Sequence, residues 1–128
     1  MNSVIRRTTD GEASFCWTAM NGHPTSICAD PGLCSNYVTE RTVLIHEMRV
    51  IPARNTKQPR FMRDYCGHLY LITGQTRDQI RVEIGSDAVE LNAWIVVRYE
   101  DYGTETMRPQ WNIIFGHDLI IDAQDYFE

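Results

Sequence analysis

Apolar and polar positions alternate through much of the second half of the chain. Val89, Leu91, Ala93, Ile95, Val97 and Tyr99 fall at spacing two, with Glu90, Asn92, Arg98 and Glu100 between them, which predicts one long strand. Trp94 and Val96 on the other side predict that its second face is partly covered too, and the β-branched run Ile95-Val96-Val97 disfavours a helix opening at Ser86. Ile80, Val82 and Ile84 alternate with Arg81 and Glu83 and are followed by Gly85, Ser86 and Asp87, the composition of a hairpin turn. Leu69-Tyr70-Leu71-Ile72 before Gly74 extends this meander backwards, and Trp111, Ile113 and Phe115 before Gly116 extend it forwards.

The first half patterns less clearly and is expected to be rich in loops. Thr42 to Ile51 predicts a further strand, with Leu44, Met48 and Val50 on the face that also holds His46; the alternative is a helix capped by Ser35 and running to Met48. Pro52 to Pro59 divides the chain, but each part is too short to bury a good core by itself, so residues 1–128 are expected to form a single domain. The expected fold is mostly β, an antiparallel sandwich or barrel of five to seven strands with at most one short helix, or α+β if the helix after Ser35 forms.

Composition narrows the setting. With 43% hydrophobic and 23% charged residues, the 128-residue chain is neither disordered nor fibrous. Its longest uncharged apolar runs are about five residues, against the roughly 20 of a membrane-spanning helix, and no apolar stretch follows Arg6-Arg7, so a cytoplasmic protein without a membrane partner is expected. There Cys16, Cys28, Cys34 and Cys66 stay reduced; Cys28 with Cys34 is the one pair considered for a disulfide in an oxidising compartment.

Charge is unevenly placed. The chain carries −5 overall, yet the interval from Arg49 to Arg63 holds Arg49, Arg54, Lys57, Arg60 and Arg63 and no acid, leaving −10 on the remainder. Pro52 and Pro59 make this an extended basic loop between two strands. Such a loop suits an acidic protein surface, nucleic acid with Phe61, Tyr65 or Tyr70 stacking on bases, or the acidic hairpin around Glu100 to Glu105 in a second copy.

Other chemistry-bearing residues are scattered. Cys16, His23, Cys28 and Cys34 offer soft metal ligands, but the gaps of six, four and five residues lack the close pair of a zinc knuckle, so no metal and no cofactor are expected. Cys66-Gly67-His68 places a thiol beside an imidazole without an orienting third group. His46 and His68 are the candidate acid and base, with Arg54 or Arg60 steadying an anion, if the chain is a hydrolase or lyase acting on a phosphate-bearing substrate. No phosphate-binding glycine loop, dinucleotide fingerprint, nucleophile elbow or metalloprotease histidine pair occurs. The favoured expectation is therefore a non-enzymatic interaction module that meets an acidic partner through its arginine loop, ahead of the histidine enzyme and of a self-associating structural subunit.

Overall fold

The computed structural model describes residues 6–7, 14–30, 32–53, 59–64, 67–84, 87–99 and 111–116. They form strands β1 (Arg6–Arg7), β2 (Ser14–Met20), β3 (His23–Ala29), β4 (Tyr37–Thr39), β5 (Val50–Pro52), β6 (Phe61–Arg63), β7 (Leu69–Thr76), β8 (Ile80–Ile84), β9 (Asp87–Leu91), β10 (Trp94–Arg98) and β11 (Ile113–Phe115), with one helix, α1 (Glu40–Ile45), after β4. All strands belong to one sheet ordered β5-β7-β10-β4-β11-β3-β2-β8-β9, with β1 on β2 and β6 on β7. The sheet curls into an open half-barrel. The mostly-β expectation holds, with more strands than the five to seven foreseen.

Three local expectations are corrected. The long strand from Val89 to Tyr99 is two strands, because the chain changes partners at Asn92-Ala93: β9 pairs with β8, whereas β10 pairs with β7 and β4. Alternation continues across the break, so periodicity carries no sign of it. Thr42 to Ile51 is not a strand. Its start is helical, capped four residues later than expected by Thr39, whose hydroxyl accepts from the Thr42 amide at 3.3 Å. Leu44, expected on one strand face with His46, Met48 and Val50, is 70% exposed on the helix. The cysteine-bearing front is not a loop either. β2 and β3 form a hairpin through Asn21-Gly22, both at positive φ (48° and 83°), the conformation that a two-residue turn with matching twist requires.

The sheet is also not wholly antiparallel. β3 and β4 follow one another in sequence but are not neighbours; β11 lies between them, parallel to β3 and antiparallel to β4. β10 runs parallel to β4 on the other side.

Successive side chains on a strand point to opposite faces, and the two apolar clusters follow that rule. Ile27, Ala29, Ile95, Ile113 and Phe115 belong to a core with Met20, Val38, Val43, Ile80, Val82 and Leu91. The intervening Cys28, Val96 and Ile114 belong to a second cluster with Met62, Tyr70, Ile72 and Trp111. Burial on both faces explains the unbroken apolar run Ile113-Ile114-Phe115. No helix among the described residues is long and apolar enough to cross a membrane.

Candidate functional site

One of the two buried carboxylates among the described residues is Asp30, directly after β3. Its residue is 7% exposed. Its backbone amide continues the parallel ladder by donating to the Phe115 carbonyl at 2.9 Å. Pro31 has no amide hydrogen to offer the carboxylate, and the next residue does the work: the Gly32 amide donates to Asp30 Oδ1 at 2.9 Å. A Cβ on Gly32 would already lie 3.2 Å from that oxygen. The Leu33 amide closes the turn on the Asp30 carbonyl at 3.2 Å.

A crossing of two chain segments holds this turn. Gly116 passes the backbone of Ser35 so closely that a Cβ would fall 2.1 Å from the Ser35 carbonyl oxygen, so no larger residue fits. Its amide donates to Asn36 Oδ1 at 3.0 Å. At the other end of β11, Asn112 Oδ1 accepts from the amide and hydroxyl of Ser26 at 3.1 and 2.8 Å, and its Nδ2 donates to Thr42 Oγ1 at 3.1 Å. Strand β11 is thus fixed to β3, β4 and α1 beside Asp30.

The other buried carboxylate among the described residues, Asp64, has a different role. Its Oδ1 accepts from the His68 amide at 3.0 Å, and its Oδ2 accepts from the Tyr70 hydroxyl at 3.0 Å and Trp111 Nε1 at 3.3 Å. Burial, and then the nearby Asp64 charge, push the Tyr70 hydroxyl far above its ordinary value, so Tyr70 stays a donor. Asp64 is a satisfied structural acceptor.

The residues singled out from sequence fall elsewhere. The His46 ring packs edge-on against His23 at 5.0 Å between centroids; burial and the His23 charge lower its pKa. His68 Nδ1 lies 3.6 Å from Asp64 Oδ2, and none of these contacts joins it to His46. Among the basic residues, exposed Arg49 pairs with Asp78 through Nε and Nη2 at 2.7 and 2.8 Å. Arg60 lies over Trp94, 4.9 Å from the ring centroid, and Arg63 donates to the Gly67 carbonyl at 2.9 Å. Arg54, Lys57, Tyr65, Cys66, Glu100 to Glu105 and His117 lie outside the described residues. Cys28 is buried within β3 whereas Cys34 and His23 are exposed, and no group of three or more metal-ligating side chains occurs among the described residues. Asp30 was missed because what distinguishes it is a partner 85 positions away, Phe115. The local signals, an acid before Pro-Gly and an apolar run ending at Gly116, acquire meaning only when β11 is placed beside β3.

No protein-family model matches the sequence, and no curated protein matches it. Solved structures do. The retroviral protease-like domain of Ddi1 from Leishmania major superposes with a TM-score of 0.55 at 13% identity, covering 86% of this chain and 76% of that one. The protease of EIAV, in a complex with the inhibitor HBY-793, gives 0.57 at 10% identity over 93% and 95% of the two chains. A retropepsin-like aspartic protease from Rickettsia conorii gives 0.51 at 13% identity over 94% and 79%. This likeness overturns the expected non-enzymatic interaction module: the half-barrel that presents Asp30 is the fold of retroviral-protease-like aspartic protease domains.

Proposed function

We propose that the protein is an aspartic-type peptide hydrolase whose active site forms from two copies of the chain, each supplying Asp30. The observation that carries this reading is the setting of Asp30: a buried carboxylate at the β3/β11 crossing, oriented by the Gly32 amide, in a fold shared with aspartic protease domains. Acid–base chemistry of this class needs two carboxylates that share one proton, because like charges about 3 Å apart cannot both remain ionised. Among the described residues one chain offers one such group at the crossing, and Asp64, held by three donors, is unsuited to be the second. A second copy supplies the missing carboxylate.

In the paired site, the ionised Asp30 takes a proton from a water whose oxygen attacks the peptide carbonyl carbon, while the protonated Asp30 of the other copy gives its proton to the carbonyl oxygen. On collapse of the tetrahedral species the carbon–nitrogen bond breaks as the nitrogen takes the proton gained by the first Asp30, one hydroxyl of the gem-diol returns a proton to the second, and an acid and an amine leave. Neither carboxylate ends with a net change.

The test is hydrolysis of an unfolded polypeptide followed by mass spectrometry over a range of protein concentrations. Activity per chain should fall on dilution as the dimer dissociates, and Asp30→Asn should abolish it. Mixing equal amounts of wild-type and Asp30→Asn chains should leave about a quarter of the activity, the statistical share of fully wild-type pairs. Cleavage that survives in Asp30→Asn would remove the basis of this assignment.

A further inference from the structure

Two imidazoles that are remote in sequence meet in the fold. His23 opens β3 opposite Met20, at the closed end of the β2–β3 hairpin. His46 caps the C-terminal end of α1, where the backbone leaves the helix through Glu47 at φ 52°. Along β3, His23 shares a face with Ile27, and Ile27 lies in the same apolar cluster as Val43 of α1. Asn112 ties the two elements together, its Oδ1 accepting from the Ser26 hydroxyl of β3 at 2.8 Å and its Nδ2 donating to Thr42 Oγ1 of α1 at 3.1 Å. The separation of the two imidazoles is therefore set by the scaffold that carries them.

That separation has a chemical meaning. The rings stand 5.0 Å apart between centroids, at an interplanar angle of 77°. A metal ion held by imidazole lies about 2.0 to 2.1 Å from the ligating nitrogen, and so roughly 3.2 Å from the ring centroid. Two imidazoles on one tetrahedral or square-planar ion then have centroids about 4.5 to 5.2 Å apart. The observed spacing falls inside this range, so side-chain rotation alone can aim one nitrogen of each ring at a shared ion, with no movement of backbone. His23 is exposed and His46 half-buried, which leaves a path for the ion and room for water at its remaining positions.

We propose that His23 and His46 form a two-imidazole site for a divalent transition-metal ion of the class that imidazole favours, zinc, nickel or copper, and not for magnesium or calcium. The ion ties the end of α1 to the turn end of β3. With only two protein ligands it exchanges readily, unlike the ion of a closed four-ligand structural site. The site is independent of the peptide hydrolase reading and stands even if the protein hydrolyses nothing.

The probe is Ni²⁺, titrated into the full-length protein at mildly alkaline pH and followed by calorimetry and by thermal unfolding. Binding should saturate at a single ion per chain and raise the unfolding midpoint as the ion concentration rises, because the unfolded chain does not hold the two rings together. His23→Asn and His46→Gln each leave one imidazole, and each should weaken binding about tenfold or more through loss of the chelate. His23 is exposed, so its variant tests the site without disturbing the core. Exposed Cys34 is the competing soft ligand, and Cys34→Ser should bind as wild type does. Excess Mg²⁺ should not compete. Binding that persists undiminished in His23→Asn and His46→Gln, that disappears in Cys34→Ser, or that Mg²⁺ displaces would overturn the site, as would the lack of saturable binding at millimolar Ni²⁺.

Discussion

The amide of Asp30 donates to the carbonyl oxygen of Phe115 at 2.9 Å, so a strand near the end of the described chain fixes the direction of a carboxylate near its beginning. The backbone of the following residue, Gly116, then lies against Ser35. Geometry at Asp30 thus depends on contacts that are close in space and remote in sequence.

Gly116→Ala should be severely destabilising. The new methyl would meet backbone, which cannot rotate aside, and the cost should be about 3 kcal/mol or more. Gly22→Ala is the comparison: its Cβ meets nothing within 4 Å and pays only for φ near +83°, about 1 to 2 kcal/mol. Urea denaturation of both variants checks the ranking.

Asn112→Ala should cost about 2 kcal/mol, since it leaves Ser26 and Thr42 without their partner in a partly buried place. Asn112→Asp keeps the acceptor for Ser26 and loses only the donor to Thr42, so it should be the milder change. Thermal unfolding of the pair separates the two halves of the carboxamide's role.

Asp30→Asn should leave stability within about 1 kcal/mol of wild type, because an amide oxygen can still accept from Gly32. Hydrolysis, by contrast, should vanish. Denaturation curves alongside rate measurements test both halves of this expectation.

His46 should make the fold sensitive to mild acid. Burial and then the charge of His23 hold its folded-state pKa below the ordinary 6.5. Between that lowered value and 6.5 the unfolded chain binds more protons than the folded one, so this contribution to stability is intact above 6.5 and lost as pH falls through the window. His46→Gln should flatten that part of the profile. Denaturation midpoints of both proteins from about pH 8 to about pH 5 will show the difference.

Much of the sheet was legible in the sequence. The β8–β9 hairpin, β7 and β11 all follow from alternation and turn residues, because those signals are local. The exchange of partners at Asn92-Ala93 was not, since the Ala93 amide is taken by Thr76 Oγ1 and the Trp94 amide by the Asn36 carbonyl, and neither leaves a mark on periodicity. The β2–β3 hairpin did announce itself through Asn21-Gly22, a strong turn signal that attention to the cysteines obscured. Charge drew attention to the arginines, which contribute little in Arg49, paired at the surface with Asp78. Asp30 carried no comparable flag: its place depends on a parallel pairing between segments that alternation cannot bring together.

The insertion of β11 between β3 and β4 also orders events in time. A ribosome delivers Asp30 long before Ile113, and the intervening chain must fold back before the central gap in the sheet can close. Until then the carboxylate has neither its wall nor its neighbouring strand. The setting of Asp30 is accordingly completed only after β11 has been synthesised, however early the residue itself emerges.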